Sequence, residues 1–218
     1  VTYKESFTQT ITHREVYKKQ SGGKGKFADI EFEIGPADEG VVGLQFINDV
    51  KGGNIPREYI LAAEKGFKNA MSNGVLAGFP MDSMKVRLYD GSTHPVDSDA
   101  LSFEVAAQLG FKASGLKAKP VVMEPIMKVE VRVPSEYLGD VTGDLNRRRA
   151  MLREVEANYV IQIVKADAPL SEMFGYITTL RTLTQGRANF SMEFSHYARM
   201  TDDMADVVIK KAKGTYFF

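Results

Sequence analysis

Apolar and polar residues alternate near the start of the chain with the period of two that a half-buried strand requires. Ile30, Phe32 and Ile34 each follow an acidic residue, so one face of this segment is apolar and the other is charged. The segment 18–26 before it is rich in lysine and glycine, and clustered glycines make a regular element costly. We therefore predict strands on both sides of a loop at 18–26.

Two helices are predicted in the rest of the first half, at 56–73 and 98–115, where apolar residues recur at helical spacing. A short strand at 85–89 lies between them and is followed by a turn signal at Asp90 and Gly91. The second helix is predicted to bury three apolar residues spaced four apart, Leu101, Val105 and Leu109.

A predicted linker at 115–120 separates this region from one with a different pattern. Valines alternate with charged residues over 127–133, which predicts a strand, and Ser135 is placed to cap the helix that follows. Two strands are predicted next, at 151–156 and 159–165. A helix at 171–186, starting at Ser171 and with Ile177 on its inner face, follows them, and a strand at 189–195 comes last.

The order of elements in this second region is β-α-β-β-α-β, the ferredoxin-like arrangement. A final helix is predicted over 202–213 and is expected to pack on the rest. The pattern alone thus indicates an α+β protein with two domains, of which the second has the ferredoxin-like fold.

Composition narrows the classes of function. The chain has 218 residues, 44% of them hydrophobic and 26% charged, which is typical of a folded globular protein. Its 28 basic and 28 acidic residues cancel, so any RNA binding must come from a local basic patch. It contains no cysteine, which excludes disulfides, zinc–thiolate sites and a cysteine nucleophile.

Location and completeness are also predicted from the sequence. No apolar run approaches the roughly 20 residues of a membrane-spanning helix, and the first residues lack the features of a signal peptide. The chain begins with Val1 rather than methionine. We therefore expect a cytoplasmic fragment of a longer protein, with no membrane partner.

The glycine-rich loop is the first candidate site. Lysine ammonium groups and glycine backbone can approach a phosphate closely, so the loop is predicted either to contact RNA or to be a solvated hairpin end. The nucleotide-binding motif G-x-x-x-x-G-K-[ST] is absent from the sequence. The residues predicted to make the contact are Ser21, Gly22, Gly23, Lys24, Gly25 and Lys26.

His94 is the second candidate, in a polar loop between a predicted strand and a predicted helix. It could stabilise the turn before a helix cap at Asp97 or Ser98, contact a ligand, or act with Asp97 or Asp99 as a general base. The third reading has no nucleophile or metal motif to support it. A run of three arginines, Arg147, Arg148 and Arg149, ends the predicted helix after Ser135 and favours either an RNA contact or an acidic partner within the protein.

Several long segments closely resemble the C-terminal part of bacterial translation elongation factor G. The resemblance extends over about residues 1–200, in the order expected for that family. The segments are QSGGKGKF (20–27), FINDVKGGNIPREYI (46–60), LAGFPMDSMKVRLYDGSTHPVDSDALSF (76–103), MEPIMKVEV (123–131), GDVTGDLNRRR (139–149) and PLSEMFGYITTLRTLTQGRANFSMEF (169–194).

The resemblance implies a fold for each half. Residues 1–120 are similar to domain IV, which has an α/β fold like domain 2 of ribosomal protein S5. Residues 121–218 are similar to the ferredoxin-like domain V, followed here by the C-terminal helix. The family's GTPase domain lies upstream, so we expect this chain to be no enzyme, to bind no cofactor or metal, and to leave GTP and Mg²⁺ to that missing domain.

The resemblance also implies a role for both loops. In the family, the glycine-rich loop (here 21–27) and the histidine loop (here 91–97) form the tip of domain IV, which enters the ribosomal decoding centre. Lys24 matches a common arginine, Lys26 a frequent glutamine, Ala28 and Asp29 a Gly-His pair, and Ala150 a glycine. Arginine's bidentate contacts would be lost at Lys24.

The expected function is to promote translocation of tRNA and mRNA during elongation. Partners would be ribosomal RNA of both subunits, A-site and P-site tRNA and mRNA, with the fragment itself monomeric. Three alternatives stay open: a ribosome-recycling paralogue, a paralogue with an altered GTPase, and an acid–base enzyme using His94 and Asp97. A tetracycline-protection paralogue is disfavoured by the glycine-rich loop.

Overall fold

The computed structural model describes residues 1–157 and 160–214. Contacts divide the chain into two compact units, each with its own hydrophobic core. The N-terminal unit comprises Lys4–Met123 together with the residues from Met200 onward. The C-terminal unit comprises Val1–Tyr3 and Glu124–Arg199.

Nine strands and five α-helices occur within the described residues. In chain order they are β1 (Lys4–Ser6), β2 (Ile11–Lys19), β3 (Lys26–Gly35), β4 (Gly43–Asn48), α1 (Arg57–Ala70), β5 (Ser83–Ser92), α2 (Ala100–Ser114), β6 (Val121–Pro134), α3 (Leu138–Arg147), β7 (Met151–Ala157), β8 (Ile161–Pro169), α4 (Tyr176–Thr184), β9 (Asn189–Arg199) and α5 (Asp202–Ala212). No helix among them is long and apolar enough to cross a membrane.

The N-terminal unit is a four-stranded sheet with two helices packed on it. The strand order is β2-β3-β5-β4, in which β3 is antiparallel to both neighbours and β4 is parallel to β5. Ile30, Phe32 and Ile34 are fully buried, which confirms the predicted face of β3. α1 connects the parallel pair, as such a pair requires.

The buried face of α2 differs from the prediction. Leu101 and Leu109 are 57% and 40% exposed, while the buried side is made of Phe103, Phe111 and small residues. A Cβ on Gly110 would lie 2.9 Å from the ring of Phe32, and one on Gly66 of α1 would lie 2.3 Å from the carbonyl oxygen of Glu104. The sheet and α1 approach α2 so closely that leucines do not fit there.

The predicted turn at Asp90 and Gly91 is wrong, because both residues pair with β3 inside the longer strand β5. Gly91 is there for space rather than for a turn: a Cβ would lie 2.2 Å from the carbonyl oxygen of Asp29. The predicted linker at 115–120 is also ordered, as a 3-10 helix over Gly115–Ala118. The carbonyl of the buried Ala118 accepts hydrogen bonds from the N–H groups of Thr8 and Gln9.

The C-terminal unit has the predicted βαββαβ order. Its strands lie in the order β9-β6-β8-β7, with β8 antiparallel to β6 and β7, and α3 and α4 follow β6 and β8. Valines of β6 pack against both helices, which confirms the ferredoxin-like fold. The core includes Val129, Val131, Val133, Val141, Leu145 and Leu180.

Helix starts in this unit were predicted less well. Ser135 makes no helix-cap hydrogen bond, because a 3-10 turn (Ser135–Tyr137) precedes α3. A second 3-10 turn delays α4 until Tyr176, so Tyr176 is buried in place of Ile177. Tyr159, where the second strand of the pair was expected to begin, lies outside the described residues.

The final helix α5 forms as predicted. Its Ala205 is buried, and contacts group α5 with the N-terminal unit, whereas the predicted range 121–218 places it with the second domain. The division of the chain into domains 1–120 and 121–218 stays a prediction.

Candidate nucleic-acid interface

The glycine-rich loop and the histidine loop lie side by side at one end of the N-terminal unit. In the structure the glycine-rich loop is 20–25, between β2 and β3, and the histidine loop is 93–99, between β5 and α2. Because β3 is antiparallel to β5, the start of β3 and the end of β5 meet at the same edge, where Asp29 pairs with Ser92. We call these two loops together the tip.

Asp97 binds the two loops to each other. Its Oδ1 accepts a hydrogen bond from the Gly25 N–H at 3.1 Å, and its carbonyl oxygen accepts one from the Phe27 N–H at 3.0 Å. Gly25 is buried, and a Cβ there would lie 2.8 Å from the carbonyl oxygen of Lys19 and 3.0 Å from Asp97 Oδ2. Glycine at 25 therefore serves the contact between the loops.

Ser98 forms a second bridge between the loops. Its hydroxyl donates to the Phe27 carbonyl oxygen at 2.8 Å and accepts from the His94 N–H at 2.8 Å. The Tyr59 hydroxyl of α1 donates to the Ser98 carbonyl oxygen at 3.1 Å. The histidine loop is thus fixed from both sides.

Lys26 and Asp99 make a third link, at 2.6 Å between Nζ and Oδ2. Asp99 is also the N-cap of α2, a role predicted for Asp97 or Ser98, and it accepts from the N–H and the hydroxyl of Ser102. Burial raises the pKa of Asp99, but these hydrogen bonds outweigh burial and lower it to about 2. The bond to Asp99 raises the pKa of Lys26. Lys26 is therefore paired with an acidic residue of the protein while its side chain stays 39% exposed, and its contact with RNA stays a prediction.

His94 has a defined tautomer. Its Nδ1 lies 3.1 Å from the Val96 N–H nitrogen and 3.0 Å from that of Asp97. Amide N–H groups only donate, so Nδ1 must accept and the ring proton lies on Nε2. The side chain is 47% exposed, and Asp97 Oδ2 is 3.7 Å from Nδ1, beyond hydrogen-bond range. His94 can therefore offer an outward N–H donor, whereas a general base at Nδ1 does not fit.

Lys24 is the free cation of the glycine-rich loop. It is exposed, as are Lys18 and Lys19 at the end of β2, and none of the three has an ion pair within the described residues. Gly22 and Gly23 have φ angles of +50° and +146°, and a Cβ on either would meet nothing within 4 Å. These two glycines, with the exposed Ser21, allow the turn its conformation and leave its surface open.

An ion pair between a buried carboxylate, that of Asp29, and an exposed guanidinium, that of Arg14, lies next to the tip. Asp29 is buried and accepts hydrogen bonds from two nitrogens of Arg14, each at 3.0 Å, and from the Ser92 hydroxyl at 2.7 Å. The residue that replaces the family's histidine here is thus fully bonded within the sheet.

Two of the three arginines in the run bind acidic or polar groups within the C-terminal unit. Arg148 contacts Asp144, Thr179 and the Glu172 carbonyl oxygen. Arg149 binds Glu124 and Glu172; burial opposes its charge, but these bonds outweigh burial and raise the pKa of Arg149. Arg147 is 71% exposed, with Asp144 at 3.8 Å. Only Arg147 is therefore placed to reach a partner.

The links that Ser98, Asp99 and Tyr59 make at the tip were not predicted: Ser98 was proposed only as a helix cap and Asp99 only as a partner of His94 in general-base chemistry. The sequence Asp-Ala-Leu-Ser at 99–102 is a capping signal that could have identified Asp99. No group of three or more histidine, aspartate or glutamate residues that could hold a metal occurs within residues 1–157 and 160–214.

Comparison with known proteins identifies the family. The family model described as "Elongation factor G, domain IV" matches residues 1–119, and the model described as "Elongation factor G C-terminus" matches residues 121–208. The chain is 58% identical over 215 residues to an elongation factor G of Amoebophilus asiaticus and 56% identical to one of Cytophaga hutchinsonii. Each alignment covers 99% of this chain and 30% or 31% of the relative.

A solved structure shows the same architecture. The crystal structure of a protein from Thermus thermophilus is similar to 98% of this chain with a TM-score of 0.88 and 37% identity, and the match covers 32% of that protein. The chain thus spans about a third of the length of these relatives. Both family models and both curated relatives agree, and the chain belongs to the elongation factor G family.

Proposed function

We propose that this chain is the part of a translational GTPase that contacts the ribosome and promotes movement of tRNA and mRNA during elongation. One observation supports this most: hydrogen bonds join the glycine-rich and histidine loops into one tip, on which Lys24 and His94 are exposed. Residues 1–120 would act as domain IV and residues 121–218 as domain V.

The charge distribution suits this role. These 218 residues are neutral overall, so they would not adhere to RNA everywhere, while lysines at the tip would attract phosphates locally. Lys24 would contact a phosphate as a point charge, and the His94 Nε2–H would donate to a phosphate, a 2′-hydroxyl or a base edge. Both would occupy space that returning tRNA needs, so the tip acts as a steric block.

The remaining parts of the proposal concern the whole protein. GTP and Mg²⁺ would be bound by an N-terminal GTPase domain, and no catalytic step would occur in these 218 residues. The fragment would be monomeric and the protein cytoplasmic. Its partners would be ribosomal RNA of both subunits, A-site and P-site tRNA and mRNA, with Arg147 available to RNA in the C-terminal unit.

Rapid translocation kinetics in the protein that contains this chain test the proposal. Lys24→Ala and His94→Ala should each slow translocation and leave GTP hydrolysis unchanged. Lys68→Ala is the matched control, because Lys68 is an exposed lysine in the last turn of α1, at its end away from Arg57. Unchanged rates in both tip variants would show that the tip has another role.

A further inference from the structure

A third loop emerges at the same end of the N-terminal unit as the tip. β4 runs parallel to β5, so the chain that follows each strand emerges at the same edge of the sheet. The segment 49–56 follows β4, and the Asp49 N–H donates to the Leu88 carbonyl oxygen at 2.8 Å. This segment therefore begins beside the last residues of β5, which lead into the histidine loop.

Side chains fix this third loop to its neighbours. The Asn54 amide donates to Asp90 Oδ1 at 3.0 Å. Ile55 is buried so close to Gly91 that a Cβ there would lie 2.6 Å from Ile55 Cδ1. Tyr59, in the first turn of the helix that follows, donates to the histidine loop at Ser98. The third loop and the tip thus form one continuous surface.

The exposed part of the loop is a tight turn with basic residues. The Asn54 N–H lies 3.4 Å from the Lys51 carbonyl oxygen, and the two glycines between them have φ angles of +67° and +68°. Lys51 and Arg57 are exposed, and neither has an ion pair among the described residues. Of the acidic residues beside them, Asp49 is paired with Arg87, Asp90 accepts a hydrogen bond from the neutral Asn54 amide and keeps its charge, and Glu58 is exposed.

We propose that the turn 51–54 and Arg57 form a further binding site for an RNA phosphate backbone, continuous with the tip. The inference rests on the proposed function, since it assumes that this end of the unit faces RNA. Lys51 and Arg57 would supply the charge, and the glycines would let the backbone approach closely. Such contacts add affinity without reading sequence.

The salt dependence of ribosome binding by the protein that contains this chain tests the site. Each lost phosphate contact should flatten the slope of log affinity against log salt concentration by about 0.7–0.9. We expect the double variant Lys51→Ala/Arg57→Ala to flatten it by about twice that amount, Lys24→Ala by one step, and the Lys68→Ala control not at all.

The outcomes separate the two proposals. If Lys24→Ala flattens the salt-dependence slope and the double variant does not, the binding site at 51–54 and Arg57 is overturned and the proposed function stays intact. No effect from either variant overturns both. If the double variant changes the slope only as much as Lys68→Ala does, the binding site at 51–54 and Arg57 is also overturned, because the slope then depends on the total charge of the protein rather than on a local contact. Circular dichroism confirms that each variant is folded.

Discussion

The ammonium group of Lys26, the first residue of β3, lies 2.6 Å from the carboxylate of Asp99, the last residue of the histidine loop. Together with the Asp97 and Ser98 hydrogen bonds, this ion pair links the glycine-rich loop and the histidine loop. A tip that is already ordered loses less entropy when it binds RNA than two free loops would. The tip has two chemical parts: an internal clamp of Lys26, Asp97, Ser98 and Asp99, and an outer surface of Lys24 and His94.

The clamp predicts how stability depends on pH. The folded pKa of Asp99 is lowered to about 2, below the ordinary value of about 3.9, so its contribution is complete above about pH 4 and is lost as the pH falls towards 2. Asp99→Ala should cost about 0.5–2 kcal/mol near neutral pH, as lost helix caps do. Urea unfolding should show this difference shrinking between about pH 4 and pH 2. A difference that does not change over that range would contradict the assigned ionisation.

The tautomer of His94 predicts that one substitution can remove its contact with RNA and leave the structure of the histidine loop unchanged. His94→Asn retains an acceptor for the Val96 and Asp97 N–H groups, but its shorter side chain places no donor at the position of Nε2, whereas His94→Ala lacks both groups. Loss of one hydrogen bond to RNA, about 0.5–1.5 kcal/mol, should slow translocation by about two- to tenfold in His94→Asn.

NMR provides the structural readout for the same variants. Amide exchange at Val96 and Asp97 should stay slow in His94→Asn and become fast in His94→Ala. A His94→Asn variant that translocates at the normal rate would show that the Nε2–H makes no functional contact.

Glu5 predicts a large effect far from the tip. Its buried carboxylate accepts hydrogen bonds from the backbone N–H groups of Leu76, Ala77 and Phe79, at 2.8–3.0 Å. Glu5→Gln replaces one acceptor oxygen by an NH₂ group that faces donors. We therefore expect the free energy of unfolding, measured in urea, to fall by about 1–3 kcal/mol. Glu39→Gln, at an exposed glutamate, is the control and should change little. Equal effects at both positions would contradict the buried acceptor role.

A substitution at Tyr176 is not expected to lower the free energy of unfolding, in contrast to the substitution at Glu5. Its side chain is buried, and within the described residues its hydroxyl has no hydrogen-bond partner. Tyr176→Phe should therefore leave the stability of the C-terminal unit unchanged or raise it slightly, because an unsatisfied polar group is removed. Leu180→Ala, in the same core, should cost about 2–5 kcal/mol and shows that the measurement detects this unit. A loss above about 1 kcal/mol for Tyr176→Phe would indicate a partner for the hydroxyl.

The alternation of apolar and polar residues predicted the strands that have one buried face. The alternation in β3 and β6 is simple because the sheet fixes which side each residue occupies. The buried side of α2 was not predictable in this way. Its contacts depend on the small residues Gly66 and Gly110, and the need for glycine there follows from how closely α1 and the sheet approach α2, which the sequence pattern does not show. Large apolar residues are a poor guide where two surfaces approach this closely.

The candidate site was predicted in part. The sequence located both loops, but the role of Lys26 depends on Asp99, which is 73 residues away. Charge and spacing within one loop do not distinguish a lysine that faces solvent from one that binds an acidic residue of a distant loop. The same limit applies to Arg148 and Arg149, whose partners lie in other elements.

The central claim, that the tip faces RNA, can be tested directly because these 218 residues contain no cysteine. Lys24→Cys and Lys68→Cys each introduce one attachment point for an iron chelate that cleaves nearby RNA, once cysteines elsewhere in the protein are replaced. On the ribosome we predict cleavage of decoding-centre RNA from position 24 and none there from position 68. Cleavage from position 68 with none from position 24 would contradict the account.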